Sequence, residues 1–335
     1  MDVRQHLPGR YFILTMYKPS AQTQLREKLD YELWLLDFLS ESQQAFEGGK
    51  SISTITLTNR QANLHRAIRD SDESGSGKAM KVKDAMSPLT FTASYKILDM
   101  IFEWILEENY AAGKIKDKKP PSQWPFSTKI DKIPKLQLIY PPLMQSKLYT
   151  KDYLFALYDN LLKFRNEIVH RNKFFVSDGK LIVTTATNGP SYTLELDRGE
   201  LGAFVRIVVA AANLLTGNLS FGCWVDRLLK YHFDQIQKLH GLDKFKQAKP
   251  LLESVILKVP IEEGLFPVDL WFVRQKIGSI YPNADIQFNL KIIGLVNDKP
   301  QIGWFLPVDA VPKIDLLELR SDSLKEYRIL LSERD

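Results

Sequence analysis

Between Asp152 and Lys163 the apolar residues recur every three or four positions, which is the spacing of an amphipathic helix with one buried stripe. The spacing continues past Lys163, so we predict that this helix runs on to His170. The stripe comprises Leu154, Phe155, Leu157, Tyr158, Leu161, Leu162, Phe164, Ile168 and Val169. The polar residues that interrupt its last part therefore lie on a helix that packs against a core.

The same pattern analysis predicts the other regular elements of the chain. Helical spacing covers residues 21–46, 87–113, 200–216, 220–240 and 267–280, with Ser87 as the N-cap and Pro88 as the first helical residue of the second helix. Strand-like runs cover 174–176, 181–185, 192–196, 254–259, 286–296, 301–306 and 327–331, and Asp178-Gly179 is typical of a hairpin turn. Residues 111–149 combine prolines, lysines and aromatic residues, and we predict an irregular connection there.

These elements predict a mainly α protein with three parts. An N-terminal α/β extension covers residues 1–80, and its end is placed just after a loop rich in Asp, Ser and Gly at 70–78. A helical bundle with an inserted β-hairpin covers 81–247. Beyond it the composition becomes β-branched, which predicts a small α+β module over 248–335.

Composition narrows the classes of protein to consider. The hydrophobic fraction of 44% and the charged fraction of 25% are ordinary for a globular protein. Cys223 is the single cysteine, which excludes an internal disulfide and a cysteine-based zinc cluster and suits a reducing cytoplasm. The most apolar run, 201–215, is too short to cross a bilayer. We therefore expect no membrane partner. The chain lacks a glycine-rich phosphate loop and a His-Glu-x-x-His motif, and its five histidines and one cysteine have no metal-ligand spacing, so we expect no cofactor and no zinc site. A magnesium site built from carboxylates alone stays open from the sequence. A net charge of +5 is compatible with a polyanionic partner.

The polar residues at the end of the motif helix are the main candidates for chemistry. Arg165 projects from the apolar stripe, and burying its charge costs several kcal/mol unless it is paired or open to a ligand. A guanidinium beside the imidazole of His170 suits phosphate chemistry. In the alternative interpretation, Arg165 pairs with a buried carboxylate and His170 caps the helix end. The two residues are about 140° apart on an ideal helix, so we expect two copies around a twofold axis to bring them together.

The segment Arg165-Asn166-x-x-x-His170 resembles the signature of the HEPN superfamily, which is an Arg, a polar residue and then a His a few residues later. The bare Arg-x4-His spacing also occurs at Arg60 and at Arg227. Only the copy at Arg165 has Asn directly after the Arg and ends a long amphipathic helix. The resemblance implies a HEPN-like all-helical bundle, a homodimer with a composite site, and a metal-independent ribonuclease of the toxin or antiviral-defence type. It also implies restraint by an antitoxin or another regulatory partner.

The resemblance assigns catalytic roles to Arg165, Asn166 and His170 in RNA cleavage through attack by the ribose 2′-hydroxyl. His170 is expected to move the proton, Arg165 to hold the phosphate, and Asn166 to orient the imidazole or contact the phosphate. We also predict RNA-binding side chains beside the motif and in the basic connection. They are Arg171, Asn172, Lys173, Lys116, Lys118 and Lys119.

Three alternatives remain open from the sequence. The chain can be a non-catalytic HEPN-like module that binds RNA or protein, since a fold resemblance does not guarantee activity. It can also be a DNA-binding regulator that uses the basic connection 111–149. That connection can equally be a proline-stiffened surface segment whose lysines are only solvated.

Overall fold

The structure, a computed structural model, describes residues 17–47, 82–171, 173–185, 191–261, 265–266, 270–282, 285–311 and 319–331. More than half of these residues are helical and the sheets are small, which confirms a mainly α fold with some β structure. The chain divides into two compact units. The first holds the described residues up to Ser220 together with Gln235–Lys244, and the second holds Phe221–Asp234 and the described residues from Phe245 onward.

The elements begin with α1 Pro19–Glu47, α2 Val82–Ala111, α3 Phe126–Lys132, α4 Pro142–Ser146, α5 Leu148–Asn166, β1 Phe174–Ser177, β2 Lys180–Thr184, β3 Thr193–Leu196 and α6 Arg198–Leu215. They continue with α7 Cys223–Gln235, α8 Gln237–His240, β4 Pro250–Pro260, β5 Leu265–Phe266, α9 Leu270–Ile280, β6 Asp285–Val296, β7 Lys299–Leu306, β8 Leu319–Arg320 and β9 Arg328–Ile329. The predicted helix over 21–46 is confirmed as α1. Much of the predicted N-terminal extension, residues 1–16 and 48–80, lies outside the described residues.

Helix α2 is the centre of the first unit and packs against α1, α5 and α6. The ring of Tyr158 on α5 stacks on Tyr95 and Phe102 of α2, with centroid distances of 5.5 and 5.1 Å. These rings are fully buried, so they supply a large apolar contact with a defined geometry. The stack fixes α5, and with it the polar residues at the end of α5, against the core.

The start of α2 differs from the prediction. We predicted that Ser87 caps the helix and Pro88 begins it, but the helix begins at Val82 and contains Pro88. A proline inside a helix removes one backbone hydrogen bond. Met86 and Ser87 are buried, and helical segments draw most of their stability from such packing. The predicted end is confirmed, since α2 stops at Ala111 shortly before Gly113.

The connection between α2 and α5 contains short helices, so the prediction of an irregular segment is wrong in part. Helices α3 and α4 and two 3-10 turns, Pro121–Gln123 and Ile133–Lys135, lie within it. All four of these elements have proline in the first two positions or at the N-cap, as with Pro125 before α3 and Pro142 in α4. Proline suits the first turn of a helix because its nitrogen needs no hydrogen-bond partner there.

A buried ion pair holds α3 against α2. Lys129 is only 3% exposed, and its Nζ donates to both oxygens of Asp99, at 2.9 and 3.1 Å, and to Glu103. Burial alone would raise the pKa of Glu103, but the hydrogen bonds from Lys129 and Lys28 outweigh it and hold that pKa below its ordinary value. The first residue of α3 is Phe126, whose ring lies against Arg165.

Asn109 joins α2 to the later part of the connection. Its side chain is fully buried and donates to the carbonyls of Ile105 and Ile139, at 2.8 and 2.9 Å. Its Oδ1 also accepts the backbone N–H of Ile139 at 2.8 Å. The side chain of Asn109 therefore bonds both the carbonyl and the N–H of Ile139, as a neighbouring strand would.

We expect Asn109→Ala to lower the free energy of unfolding by about 1–3 kcal/mol, because the N–H of Ile139 loses its partner in a protected position. Urea denaturation measures this change. Asn218→Ala is the matched control, since Asn218 is exposed, and we expect it to change stability by less than about 0.5 kcal/mol. Equal effects of the two variants would contradict the role of Asn109.

The predicted hairpin is confirmed and is part of a three-stranded sheet, order β1-β2-β3, with antiparallel pairs throughout. The turn uses Asp178 and Gly179 with φ values of 52° and 76°, as a two-residue hairpin turn requires. Inward residues of β2 and β3 are buried. The sheet lies against α2 and against the turn that follows α5, so it borders the motif.

The second unit is built on a mixed sheet of order β4-β6-β7-β9. Strands β4 and β6 are parallel, and β6 and β7 form the predicted hairpin. Its core includes Phe288, Leu290, Ile292, Trp304 and Leu306. The predicted helix over 220–240 is divided into α7 and α8 at Ile236, and 221–234 group with this unit. Among the described helices, none has both the length and the apolar character of a membrane-spanning segment.

Candidate functional site

The helix that carries the motif changes its geometry just before His170. Helix α5 ends at Asn166 and the chain continues as a π-helical turn over Glu167–Arg171, so the helical run reaches His170 as predicted but does not keep α-helical geometry. A π-helical turn is wider than an α-helical turn because its hydrogen bonds join residues five positions apart. The wider turn also exposes Val169, which we predicted as part of the buried stripe, while Ile168 stays buried.

The π-helical turn brings the two predicted catalytic groups together within one chain. Arg165 Nη1 lies 3.0 Å from His170 Nε2 and 3.1 Å from Asn166 Oδ1. On a regular α-helix five positions separate side chains by about 140°, and the wider turn removes much of this separation. The expectation that Arg165 and His170 need a second copy of the chain to meet is therefore wrong.

The contact between Arg165 and His170 also defines the hydrogen positions on the imidazole. A guanidinium only donates hydrogen bonds, so Nε2 of His170 must accept, and the hydrogen of the neutral ring is assigned to Nδ1. Both hydrogens of Arg165 Nη1 are used by Asn166 and His170. An anionic ligand would therefore be bound by the N–H groups at Nε and Nη2 of Arg165.

Arg165 lies against an aromatic ring rather than a carboxylate. Its Cζ is 4.7 Å from the ring centre of Phe126, a distance at which a cation is attracted to the ring face. In the described part of the chain no carboxylate forms an ion pair with Arg165. The alternative interpretation, a structural pair between Arg165 and a buried carboxylate, does not fit this arrangement.

Glu167 is a buried acid at the site that sequence reasoning missed. It is 4% exposed, and its Oε1 accepts a hydrogen bond from Arg171 Nη1 at 2.9 Å. Its Oε2 is also buried and has no hydrogen-bond partner among the described residues. Glu167 therefore holds Arg171, four positions later, and keeps one acceptor unused beside the motif.

These side chains line a cleft of about 520 Å³, which is in the size range of small-molecule sites. Its walls come from the start of α3, from the end of α5 with its π-helical turn, and from the residues that follow β2 and precede β3. The lining residues are Pro125, Phe126, Ser127, Leu162, Lys163, Arg165, Asn166, Glu167, His170, Arg171, Thr185 and Tyr192. Three permanent cations and one imidazole face a single carboxylate, so the cleft favours an anionic ligand.

Tyr192 and Lys163 form the part of the cleft beyond the motif, and sequence reasoning missed both. Lys163 Nζ lies 4.3 Å from the ring centre of Tyr192. The backbone of Tyr192 exchanges hydrogen bonds with Thr185, including the N–H of Thr185 to the carbonyl of Tyr192 at 2.9 Å. Lys163 is part of the motif helix, but only the fold of the sheet brings Tyr192 to it.

The other predicted RNA-binding residues are distributed differently. Arg171 lies in the cleft, whereas Lys173, Lys116, Lys118 and Lys119 are exposed and are not among its lining residues. Asn172 lies outside the described residues. The lysine segment folds onto the α3 region instead, because Trp124 Nε1 donates to the carbonyl of Lys119 and Lys132 pairs with Asp117. These lysines remain predictions for RNA contact outside the cleft.

Two further observations bear on the site. Within the ranges that the structure describes, no group of three His, Cys, Asp or Glu side chains is arranged to hold a metal ion. Comparisons with protein-family models, with curated proteins and with solved structures gave no match to this chain. A functional conclusion therefore depends on the chemistry of the cleft itself and on the motif within it.

Proposed function

We propose that the first unit is a HEPN-like, metal-independent endoribonuclease in which Arg165 and His170 act together on one phosphodiester. The observation that carries the proposal is the 3.0 Å contact between Arg165 Nη1 and His170 Nε2 in a cleft rich in positive charge. A proton-transfer group and an anion-binding group that meet at one point are the two parts that RNA cleavage by the 2′-hydroxyl requires.

In the proposed reaction the ribose 2′-oxygen attacks the adjacent phosphorus and the bond from phosphorus to the 5′-oxygen breaks. Nε2 of His170 takes the proton of the 2′-hydroxyl, and the resulting imidazolium returns a proton to the departing 5′-oxygen. Arg165 donates from Nε and Nη2 to the non-bridging oxygens and stabilises the charge that develops there. Products are a 2′,3′-cyclic phosphate and a 5′-hydroxyl.

The neighbours of the pair have supporting roles in this proposal. Asn166 Oδ1 accepts from Arg165 Nη1 at 3.1 Å and so orients the guanidinium. Phe126 supports the face of the guanidinium. Nε2 of His170 must release Arg165 Nη1 before it can take a proton, while Nε and Nη2 of Arg165 hold the phosphate.

The resemblance to the HEPN superfamily also supports a proposal about the biological role of the protein. We propose a cytoplasmic toxin or antiviral-defence effector whose activity is restrained by an antitoxin or another regulatory partner. A homodimer remains part of the proposal, because symmetric dimers are the commonest assemblies. Its role would be to extend the cleft into a shared groove, since Arg165 and His170 already meet in one chain.

A non-catalytic RNA-binding module is the second candidate. One observation favours it: the lone pair of His170 Nε2 is occupied by Arg165, so the imidazole is not free to act as a base in this arrangement. The same cleft would then bind RNA without cutting it.

Incubation of the purified protein with labelled single-stranded RNA and excess chelator separates the two candidates. We expect cleavage to persist with chelator and to leave 2′,3′-cyclic phosphate ends, while DNA of the same sequence stays intact because it lacks the attacking hydroxyl. Binding without cleavage would support the second candidate, and cleavage that stops with chelator would contradict a metal-independent reaction.

We expect Arg165→Lys to lower the cleavage rate by about 100-fold, near the lower end for loss of a transition-state donor. Lysine keeps the charge but lacks the planar donor set that reaches Asn166, His170 and the phosphate at once. Arg206→Lys is the matched control, because Arg206 is exposed and lies outside the cleft lining. Equal single-turnover rates for both variants would exclude a special role for the guanidinium of Arg165.

A further inference from the structure

We infer that Tyr192 and Lys163 form a nucleotide-binding subsite in the same cleft, in which an unpaired RNA base stacks on Tyr192 and Lys163 contacts the neighbouring phosphate. The inference rests on the proposed function for its choice of RNA as the ligand. It adds a binding site for a nucleotide next to the one that is cleaved, with residues outside the motif.

The position of Tyr192 in the cleft is fixed by its backbone. Its carbonyl accepts the N–H and the hydroxyl of Thr185, at 2.9 and 3.3 Å, and its own N–H lies 3.1 Å from Thr185 Oγ1. Tyr192 directly precedes β3, whose register with β2 places Thr193 opposite Thr184. The ring is therefore presented from the end of a paired sheet, and little ordering is needed before a ligand binds.

The ring of Tyr192 is available to a ligand. Tyr192 is 52% exposed although it lines the cleft, and because Lys163 lies over one face of the ring, a base would stack on the other face. Lys163 Nζ lies 4.3 Å from its centre and 5.0 Å from the centre of Phe164. An ammonium group beside an aromatic surface is the combination that binds the phosphate and the base of a single strand.

Lys163 also links the subsite to the reaction centre. It is two positions before Arg165 in the same helix and lines the same cleft as His170. A strand whose scissile phosphate lies at Arg165 would pass its adjacent nucleotide along the wall formed by Lys163 and Tyr192. Because stacking on Tyr192 needs an exposed base face, the subsite selects unpaired RNA over a duplex.

The test measures binding without cleavage. Each variant is combined with His170→Ala, and the affinity for a fluorescent single-stranded RNA is measured by anisotropy at fixed salt. We expect Tyr192→Ala to weaken binding by about 5- to 100-fold, the usual effect of losing one base stack, and Tyr192→Phe to bind within about twofold. Tyr31→Ala is the matched control, because Tyr31 is a similarly exposed tyrosine, at 56%, that does not line the cleft; we expect no change.

The lysine is tested by the dependence of affinity on salt. We expect Lys163→Ala to lower the slope of log affinity against log salt by about 0.7, the value for one contact with a single-stranded phosphate. Lys18→Ala removes the same charge from an exposed position outside the cleft lining, and we expect it to leave the slope unchanged. If both variants change the slope equally, Lys163 has no special contact.

The outcomes separate this inference from the proposed ribonuclease activity. If the wild type binds RNA through Tyr192 but never cuts it, the subsite stands and the ribonuclease proposal fails. If the wild type cuts RNA while Tyr192→Ala changes neither the affinity nor KM, the subsite is overturned. If circular dichroism shows that Tyr192→Ala does not fold, Tyr192→Leu replaces it, because leucine keeps apolar bulk without an aromatic face. Wild-type affinity of Tyr192→Leu for RNA would overturn the inference.

Discussion

Replacement of His170 by alanine is expected to reduce RNA cleavage by about 10²–10⁴-fold, the contribution of a positioned proton-transfer group. In the proposed reaction His170 removes the proton of the 2′-hydroxyl and later protonates the 5′-oxygen, so the variant loses help in both steps. Binding is expected to change much less, because Arg165 and Lys163 remain in the cleft. Single-turnover cleavage with enzyme in excess measures the chemical step separately from binding.

The fold is not expected to depend on His170. The side chain is exposed and contacts Arg165, so thermal unfolding of His170→Ala should match that of the wild type closely. Val169→Ala is the matched control, because Val169 precedes His170 in the same turn and is 46% exposed. Cleavage by Val169→Ala should remain near the wild-type rate. Normal cleavage by His170→Ala would exclude His170 from the chemistry.

Replacement of Lys129 by methionine is expected to lower the free energy of unfolding by about 3–5 kcal/mol, the usual cost of removing one partner of a buried ion pair. The substitution leaves the carboxylates of Asp99 and Glu103 in a protected position without their shared cation. Urea denaturation measures the change. Lys132→Met is the matched control from the same helix, because Lys132 is 36% exposed and pairs with Asp117; its cost should be below about 1 kcal/mol.

The same pair predicts a change in acid stability. Lys129 and Lys28 hold the pKa of Glu103 below its ordinary value. The ionised form of Glu103 therefore contributes its full stabilisation of the folded protein when the pH is above the ordinary pKa of a glutamate. This contribution is lost as the pH falls through the lowered pKa. Without Lys129 the lowering is smaller, so Lys129→Met should lose less stability on acidification than the wild type. Equal stability of Lys129→Met and Lys132→Met at neutral pH would contradict a structural role for the buried pair.

The regular elements could largely be predicted from the sequence because their signals are local. The spacing of leucines in 21–46 identified α1, and Asp178-Gly179 identified a hairpin turn whose φ values are both positive. The start of α2 could not be predicted in this way. Pro88 is a strong local signal for a helix start, and the burial of Met86 on the preceding turn outweighs it.

Only the motif residues of the candidate site and the arginine that follows them could be identified from the sequence, and their geometry could not. Arg165, Asn166 and His170 were identified from their order, and the structure places them in contact. Periodicity assumes a regular α-helix, so it could not reveal the π-helical turn that brings Arg165 to His170. Phe126 and Tyr192 are distant in sequence, and only packing brings them to the cleft.

The most direct test of the proposed chemistry uses an RNA oligonucleotide that is cut at a known linkage. One 2′-hydroxyl, that of the nucleotide on the 5′ side of this linkage, is replaced by hydrogen, and cleavage is followed with chelator present. We predict that this linkage becomes resistant while other linkages are still cut, and that the unmodified RNA gives 2′,3′-cyclic phosphate ends only when His170 is present. Unchanged cleavage at the modified linkage would show that the 2′-hydroxyl is not the nucleophile and would contradict the proposed roles of Arg165 and His170.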